Sequence, residues 1–251
     1  MPSGGLIMKL FLSLVIIIVL PVLSACSEDA DSEDIKTSGI RAEIDVTSNS
    51  DNHAEINVAM RVGGSNSNTY IKLSGGDKLT ATLNSSTLKN LDEITDALDN
   101  KKVTYKVTFN NTNSGANNAS YKVSLVRPTD TDALNSIVTI PDAATGFIAD
   151  KNSFSRSTED LSLTWDGLND GSNVSLSYAG DCVRSDSVAT TDDGSYQLNS
   201  GSIVSNSASN QNCDITFSLE RQTSGSLDSN FGEGGYIRAF KMTSIEVSST
   251  L

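Results

Sequence analysis

From residue 39 onward the apolar residues of this chain recur at every second position. Ile40, Ala42, Ile44 and Val46 share one parity, and Ile56, Val58, Met60 and Val62 do so again after the polar stretch Ser48-Asn49-Ser50-Asp51-Asn52. Leu79-Ala81-Leu83, Val103-Tyr105-Val107-Phe109 and Tyr121-Val123-Leu125 repeat it, as do Leu161-Leu163-Trp165, Val174-Leu176-Tyr178 and Cys213-Ile215-Phe217-Leu219. A period of two puts successive oily side chains on one face of a pleated strand, so each segment reads as a strand half buried against another sheet. Ser, Thr and Asn number 39, 22 and 22 of 251 residues, which suits short strands joined by polar turns.

Two stretches interrupt the pattern. Leu88, Leu91, Ile94 and Leu98 recur at three and four, with Asn90 and Glu93 as a weak capping pair, and predict a short helix over about 88–99. Around Pro141 to Ser157 the alternation lapses into Pro, Asp, Thr, Gly and Ser, which places a boundary there. The expected fold is all-β: two antiparallel, immunoglobulin-like β-sandwiches over 39–145 and 146–251, without close internal repetition. Near the end, Phe240 and Met242 are out of phase with Ile245 and Val247, which predicts a bulge at Thr243-Ser244.

The N-terminus reads as an address. Lys9 precedes an apolar run from Leu10 to Leu23, too short for a comfortable permanent span and of the proportions of a secretory core. Either Met1 or Met8 serves as its start. Leu23-Ser24-Ala25-Cys26 follows and resembles the lipobox of bacterial lipoproteins. That resemblance implies that 1–25 is a cleaved leader and that Cys26 is acylated. With Ser27 rather than Asp next, it also implies the outer membrane, on a side the sequence does not fix. Several acyl chains anchor firmly, at about 0.8 kcal/mol per buried methylene. The acid-rich remainder of 26–38 is expected to be a disordered tether.

The formal charge is -13, and with only Lys9 lost to cleavage the mature chain has 17 basic against 31 acidic residues. That sign repels phosphate backbones, so nucleic acid is not an expected partner. Of the three cysteines, Cys182 and Cys213 remain. Each continues an inward parity, and a disulfide is expected between them in an oxidising compartment, in preference to free thiols or a metal site, for which further donors are lacking.

Little points to catalysis. His53 is the one histidine, it lies between two strands, and no Gly-x-Ser-x-Gly elbow occurs. Acids at Asp130 and Asp132, Asp166 and Asp170, and Asp192-Asp193-Gly194 read as turn formers rather than as loop calcium ligands. Trp165, Tyr105, Tyr121 and Tyr178 have core parity. This leaves Tyr236, Phe231, Phe147 and Phe154 as candidate rings for stacking on a sugar. Trp165, Cys182, Asp193-Gly194-Ser195-Tyr196, Cys213 and Phe231-Gly232-Glu233-Gly234-Gly235-Tyr236 resemble a pattern in uncharacterised proteobacterial lipoproteins, from which no activity transfers. The three glycines are expected to serve a turn with positive φ. The expectation is therefore a cofactor-free, non-enzymatic binding or assembly module that presents its loops to an envelope protein or a glycan. A structural spacer, or a hydrolase with an unorthodox site, is the alternative.

Overall fold

Strands form wherever the alternation runs. The computed structural model describes residues 29–64, 67–95, 102–206 and 212–251; the leader and Cys26 lie outside them. The first strands are β1 (Ala30–Asp31), β2 (Ile40–Ser50), β3 (His53–Val62), β4 (Ile71–Lys72), β5 (Lys78–Leu83), β6 (Thr87–Asn90), β7 (Asp92–Thr95), β8 (Val103–Phe109), β9 (Ser120–Val126) and β10 (Ala133–Thr139). Then come β11 (Ile148–Ala149), β12 (Ser153–Ser155), β13 (Leu161–Thr164), β14 (Asn173–Ala179), β15 (Asp186–Thr191), β16 (Ser195–Leu198), β17 (Cys213–Ser224) and β18 (Tyr236–Thr250).

The architecture is all-β and layered, with one layer shared. A long sheet runs in the order β15-β14-β17-β18-β2-β3-β8-β7, and β12 also joins β18. Facing it are two smaller sheets, β10-β9-β5-β6 and β11-β13-β16. Most pairs are antiparallel, as expected, while β18 runs parallel to both β2 and β12, and β1 to β4. The two partners use one edge of β18 in succession: β2 pairs with Tyr236 to Lys241, and β12 with Ser248 to Thr250. A Cβ on Gly235 would lie 2.6 Å from the Ala42 carbonyl oxygen, so the approach of β18 to β2 requires glycine there. Of the three glycines expected in a left-handed turn, only Gly234 has a positive φ, of 81°.

Two hydrophobic clusters result. The first gathers Ile44, Ile56, Tyr105, Phe109, Tyr121 and Leu125, and the second Leu163, Trp165, Leu176, Phe217 and Leu219. Burying each such side chain contributes roughly 1.5–3 kcal/mol. The clusters are not the contiguous blocks 39–145 and 146–251. Phe231, Ile237 and Ala239 return to the first cluster, while Val247, further along the same strand, belongs to the second.

Three further expectations are overturned. No bulge interrupts β18, which pairs with β17 in unbroken register from Arg238 to Ser249. Ile237, Ala239, Lys241, Ile245 and Val247 share the inner parity, and Phe240 and Met242 sit on the outer face. The helix expected over 88–99 is two short strands as far as Thr95, and 96–101 lie outside the described residues. Leu91 is buried where the chain crosses from β6 in one sheet to β7 in the other, whereas Leu88 and Ile94 are 64% and 46% exposed. Spacing by three here records a crossing between layers, not a helical face.

The third correction concerns the tether. Residues 29–38 are folded: β1 pairs with β4, and 3-10 turns span Ser32–Asp34 and Thr37–Gly39. Arg127, buried, donates to the carbonyls of Ser32 and Ile35, the latter at 2.7 Å, and to Thr37 Oγ1 at 3.0 Å. The acidic side chains of Glu33 and Asp34 face solvent while the backbone beneath them is held.

Candidate functional site

On the outer face of the long sheet, β18 presents Tyr236, Arg238, Phe240 and Met242 at alternate positions. The parallel register sets Tyr236 beside Glu43, Arg238 beside Asp45 and Phe240 beside Thr47 on β2. Arg238 lies over the Tyr236 ring at 4.0 Å and over Phe240 at 5.2 Å, and its Nη2 meets Asp45 Oδ1 at 2.9 Å. A second unit of this kind stands nearby. Arg61 lies 4.7 Å from the Tyr70 ring and its Nε is 3.3 Å from Glu43 Oε2, and Arg41 Nη2 reaches Glu43 Oε1 at 2.5 Å. A cation held over a ring by a carboxylate is thus the repeating element of this face.

Next to Phe240 is a shallow hollow of about 220 Å³, lined by Thr47, His53, Glu55, Glu220, Phe240 and Met242 among others. Glu220 stands opposite Met242 in the β17–β18 register. Burial, reinforced by Asp45 and only partly offset by Arg238, pushes its carboxyl above the ordinary value. Glu55 moves the other way: burial would raise it, but hydrogen bonds from Lys106 (2.6 Å) and Asn57 (2.9 Å) prevail and lower it. His53 Nδ1 is 2.7 Å from Asn110 Oδ1 at the rim.

The structure disposes of the residues picked out in the sequence as follows. Cys182 and Cys213 form the disulfide, with Cα atoms 5.7 Å apart. Strand β14 ends at Ala179, so Cys182 reaches the core from a turn, not from the strand. Phe231, Phe147 and Phe154 are core residues, and of the four candidate rings only Tyr236 reaches the surface, where Arg238 covers it. Asp170 and Asp193 accept from the backbone two residues on, at Ser172 and Ser195, as turn acids do. Asp130 and Asp132 accept from Thr37 and Arg127, and Asp166 accepts from Thr145. Asp192 departs from the expected turn role: it is buried and takes Trp165 Nε1 at 2.7 Å and Arg221 Nε at 2.7 Å. Among the described residues no group of three or more His, Cys, Asp or Glu side chains could hold a metal ion.

Sequence reading missed the buried cations Arg41, Arg127, Arg156, Arg221 and Lys241. The signal was present. Four of them occupy an inward parity: Arg127, Arg156 and Arg221 stand one step past the last apolar residue (Leu125, Phe154 and Leu219), and Lys241 sits between Ala239 and Ile245. Arg221 also donates to the carbonyls of Ala143 (2.9 Å) and Asp166 (2.6 Å), tying the linker to the second cluster. Lys241 Nζ meets Asp51 Oδ1 at 3.0 Å, the Gly115 carbonyl at 2.5 Å and Ser48 Oγ at 3.3 Å. This is the one Ser–Lys approach the described hydrogen bonds contain. Ser48 donates to Ser50 O and Gly115 O, and Lys241 to Asp51 and Gly115, so the cluster pins the β2–β3 turn.

No family model matches the chain, and no curated protein matches it by sequence. Solved structures are similar in strand arrangement. One is a two-domain fibronectin type III segment from chicken tenascin (9% identity, 84% of this chain and 99% of that one, TM-score 0.26). The tandem Ig repeats of Dlar are another (9%, 84% and 98%, 0.29). A third is Bacteroides ovatus SGBP-B from a mixed-linkage glucan utilization locus, in complex with a heptasaccharide (11%, 88% and 65%, 0.21). At these identities and scores the likeness carries no conclusion about this chain, whose layered sheets are read from its own strand pairing.

Proposed function

We propose that the chain is a non-enzymatic binding module of the bacterial envelope, lipid-anchored at Cys26 in the outer membrane, that meets a protein or glycan partner. The anchor rests on the Leu23-Ser24-Ala25-Cys26 lipobox. The binding role rests on one observation: the outer face of the long sheet carries rings, guanidinium groups and carboxylates in a fixed register around a hollow. Side chains on the strands of a continuous sheet are pre-organised, and recognition then needs little ordering. This moves the contact surface from the loops, many of which are tied down by buried cations, to the sheet itself.

Two measurements test this reading. Labelled palmitate should enter the wild-type chain and not Cys26→Ala; equal labelling of both removes the anchor. A photo-crosslinking residue at Gln222, beside Phe240 in the register, should capture a reproducible partner in intact cells. The same group at Ser162, on the opposite layer, should not. Equal or absent capture at both positions favours a spacer instead.

A further inference from the structure

The outer face contains its own template for a ligand. In two units a guanidinium lies over an aromatic ring with its head against a carboxylate: Arg61 with Tyr70 and Glu43, and Arg238 with Tyr236, Phe240 and Asp45. The hollow beside Phe240 repeats the ring and the carboxylate, as Phe240 and Glu220, with the thioether of Met242 as its apolar wall. Arg238, which lies over Phe240, attracts Glu220 without pairing with it, and no lysine or arginine among the described residues lines the hollow. Among the described residues Glu220 has no hydrogen bond or ion pair, whereas Glu55, the other acid of the hollow, is taken by Lys106 at 2.6 Å.

We infer that this hollow receives a basic side chain, lysine or arginine, from a protein partner, its charge against Glu220 and its methylene stem along Phe240 and Met242. The inference rests on the binding reading above and specifies its partner. Long basic side chains combine an apolar stem with a charged tip, which is the complement of a hollow with a ring, a thioether and one half-buried acid. Met242 is 36% exposed, so the apolar wall is accessible. A formal charge of -13 draws cationic partners toward the chain and repels anionic ones.

Methionine methyl groups report on the site. The full chain has four methionines, Met1, Met8, Met60 and Met242, of which Met60 is core and Met242 lines the hollow. With methyl-labelled methionine, in neutral detergent micelles, Nα-acetyl-lysine methylamide and then octalysine should shift the Met242 signal saturably and leave Met60 in place. Acetyl-norleucine methylamide, of the same shape without charge, should not. Glu220→Gln should weaken octalysine binding by about five- to tenfold, and Lys106→Met, which leaves Glu220 intact, should not weaken it. If cellohexaose shifts Met242 while octalysine does not, or if Glu220→Gln binds octalysine as the wild type does, the basic-side-chain assignment is overturned. The binding reading is judged separately by the cellular crosslink at Gln222, which needs no assumption about the partner's charge.

Discussion

The two clusters are stabilised by different means. The first is the larger and relies on long strands, with β2, β3, β8 and β9 burying every second residue, and it has no covalent cross-link. The second has shorter facing strands and adds the Cys182–Cys213 disulfide, with Arg156 donating to Cys182 Sγ at 3.1 Å. A smaller core removes less apolar area from water per ordered residue, so a staple that restricts the unfolded chain offsets part of the deficit. What they share is a buried Asp–Arg pair placed where a loop must be held. Arg127–Asp77 sits at 2.9 Å under the N-terminal segment, and Arg221–Asp192 at 2.7 Å under the linker.

The contrast can be broken most severely at the shared device. Arg221→Met leaves Asp192 buried without its cation and should cost about 3–5 kcal/mol. The chain's single tryptophan, Trp165, bonds to Asp192, so urea denaturation followed by its fluorescence reads this core directly. Arg127→Met should cost a similar amount, registered instead as faster hydrogen exchange in residues 30–38. A loss below about 1 kcal/mol in both variants would show that the pairs only decorate the loops.

Removing the staple tests the asymmetry itself. The double variant Cys182→Ala, Cys213→Ala should lose about 2–4 kcal/mol by the Trp165 probe. If exchange in β3 and β8 accelerates equally, β18 couples both clusters into one cooperative unit and the contrast is one of construction only.

The smallest expected effect is on pH dependence at Glu220, where the sheet passes between clusters. Its folded pKa lies above the unfolded value near 4.5, so the folded chain holds the proton more tightly than the unfolded one. Stability from this group is therefore greatest below the unfolded value and declines as pH rises through the folded one. Glu220→Gln should flatten that decline in urea midpoints taken from about pH 4 to about pH 7. An unchanged profile would locate the slope elsewhere.

Parity made the strands legible, because a half-buried strand cannot hide a period of two; Ile40 to Val46 and Ile215 to Leu219 are read directly. The disulfide was expected from the same reasoning, which holds for Cys213 on β17 but not for Cys182, which lies in a turn beyond β14. The segment from Leu88 to Ile94 misled because three-residue spacing arises equally from a turn of helix and from a chain changing layers. The strap over 29–38 was invisible for another reason: its hold is exerted on carbonyl oxygens by Arg127, some ninety residues away, and composition reports only side chains. Of the outer face, the sequence revealed Tyr236 alone; Phe240 and Met242 were read as a break in phase, because the expected parity was set by Ile245 and Val247. Four of the buried cations were recoverable in principle, as charges that occupy an apolar alternation.

One consequence of the parallel pairing is mechanical. β2 is held between β3, which pairs with it from Ile40 to Ser50, and β18, which pairs with it from Glu43 to Ser48. A load entering through residue 40 would pull β2 along its own axis, so that its bonds to both neighbours resist in shear rather than parting one at a time. If the chain is anchored at Cys26 as proposed and gripped on its outer face, tension between membrane and partner would run along this strand.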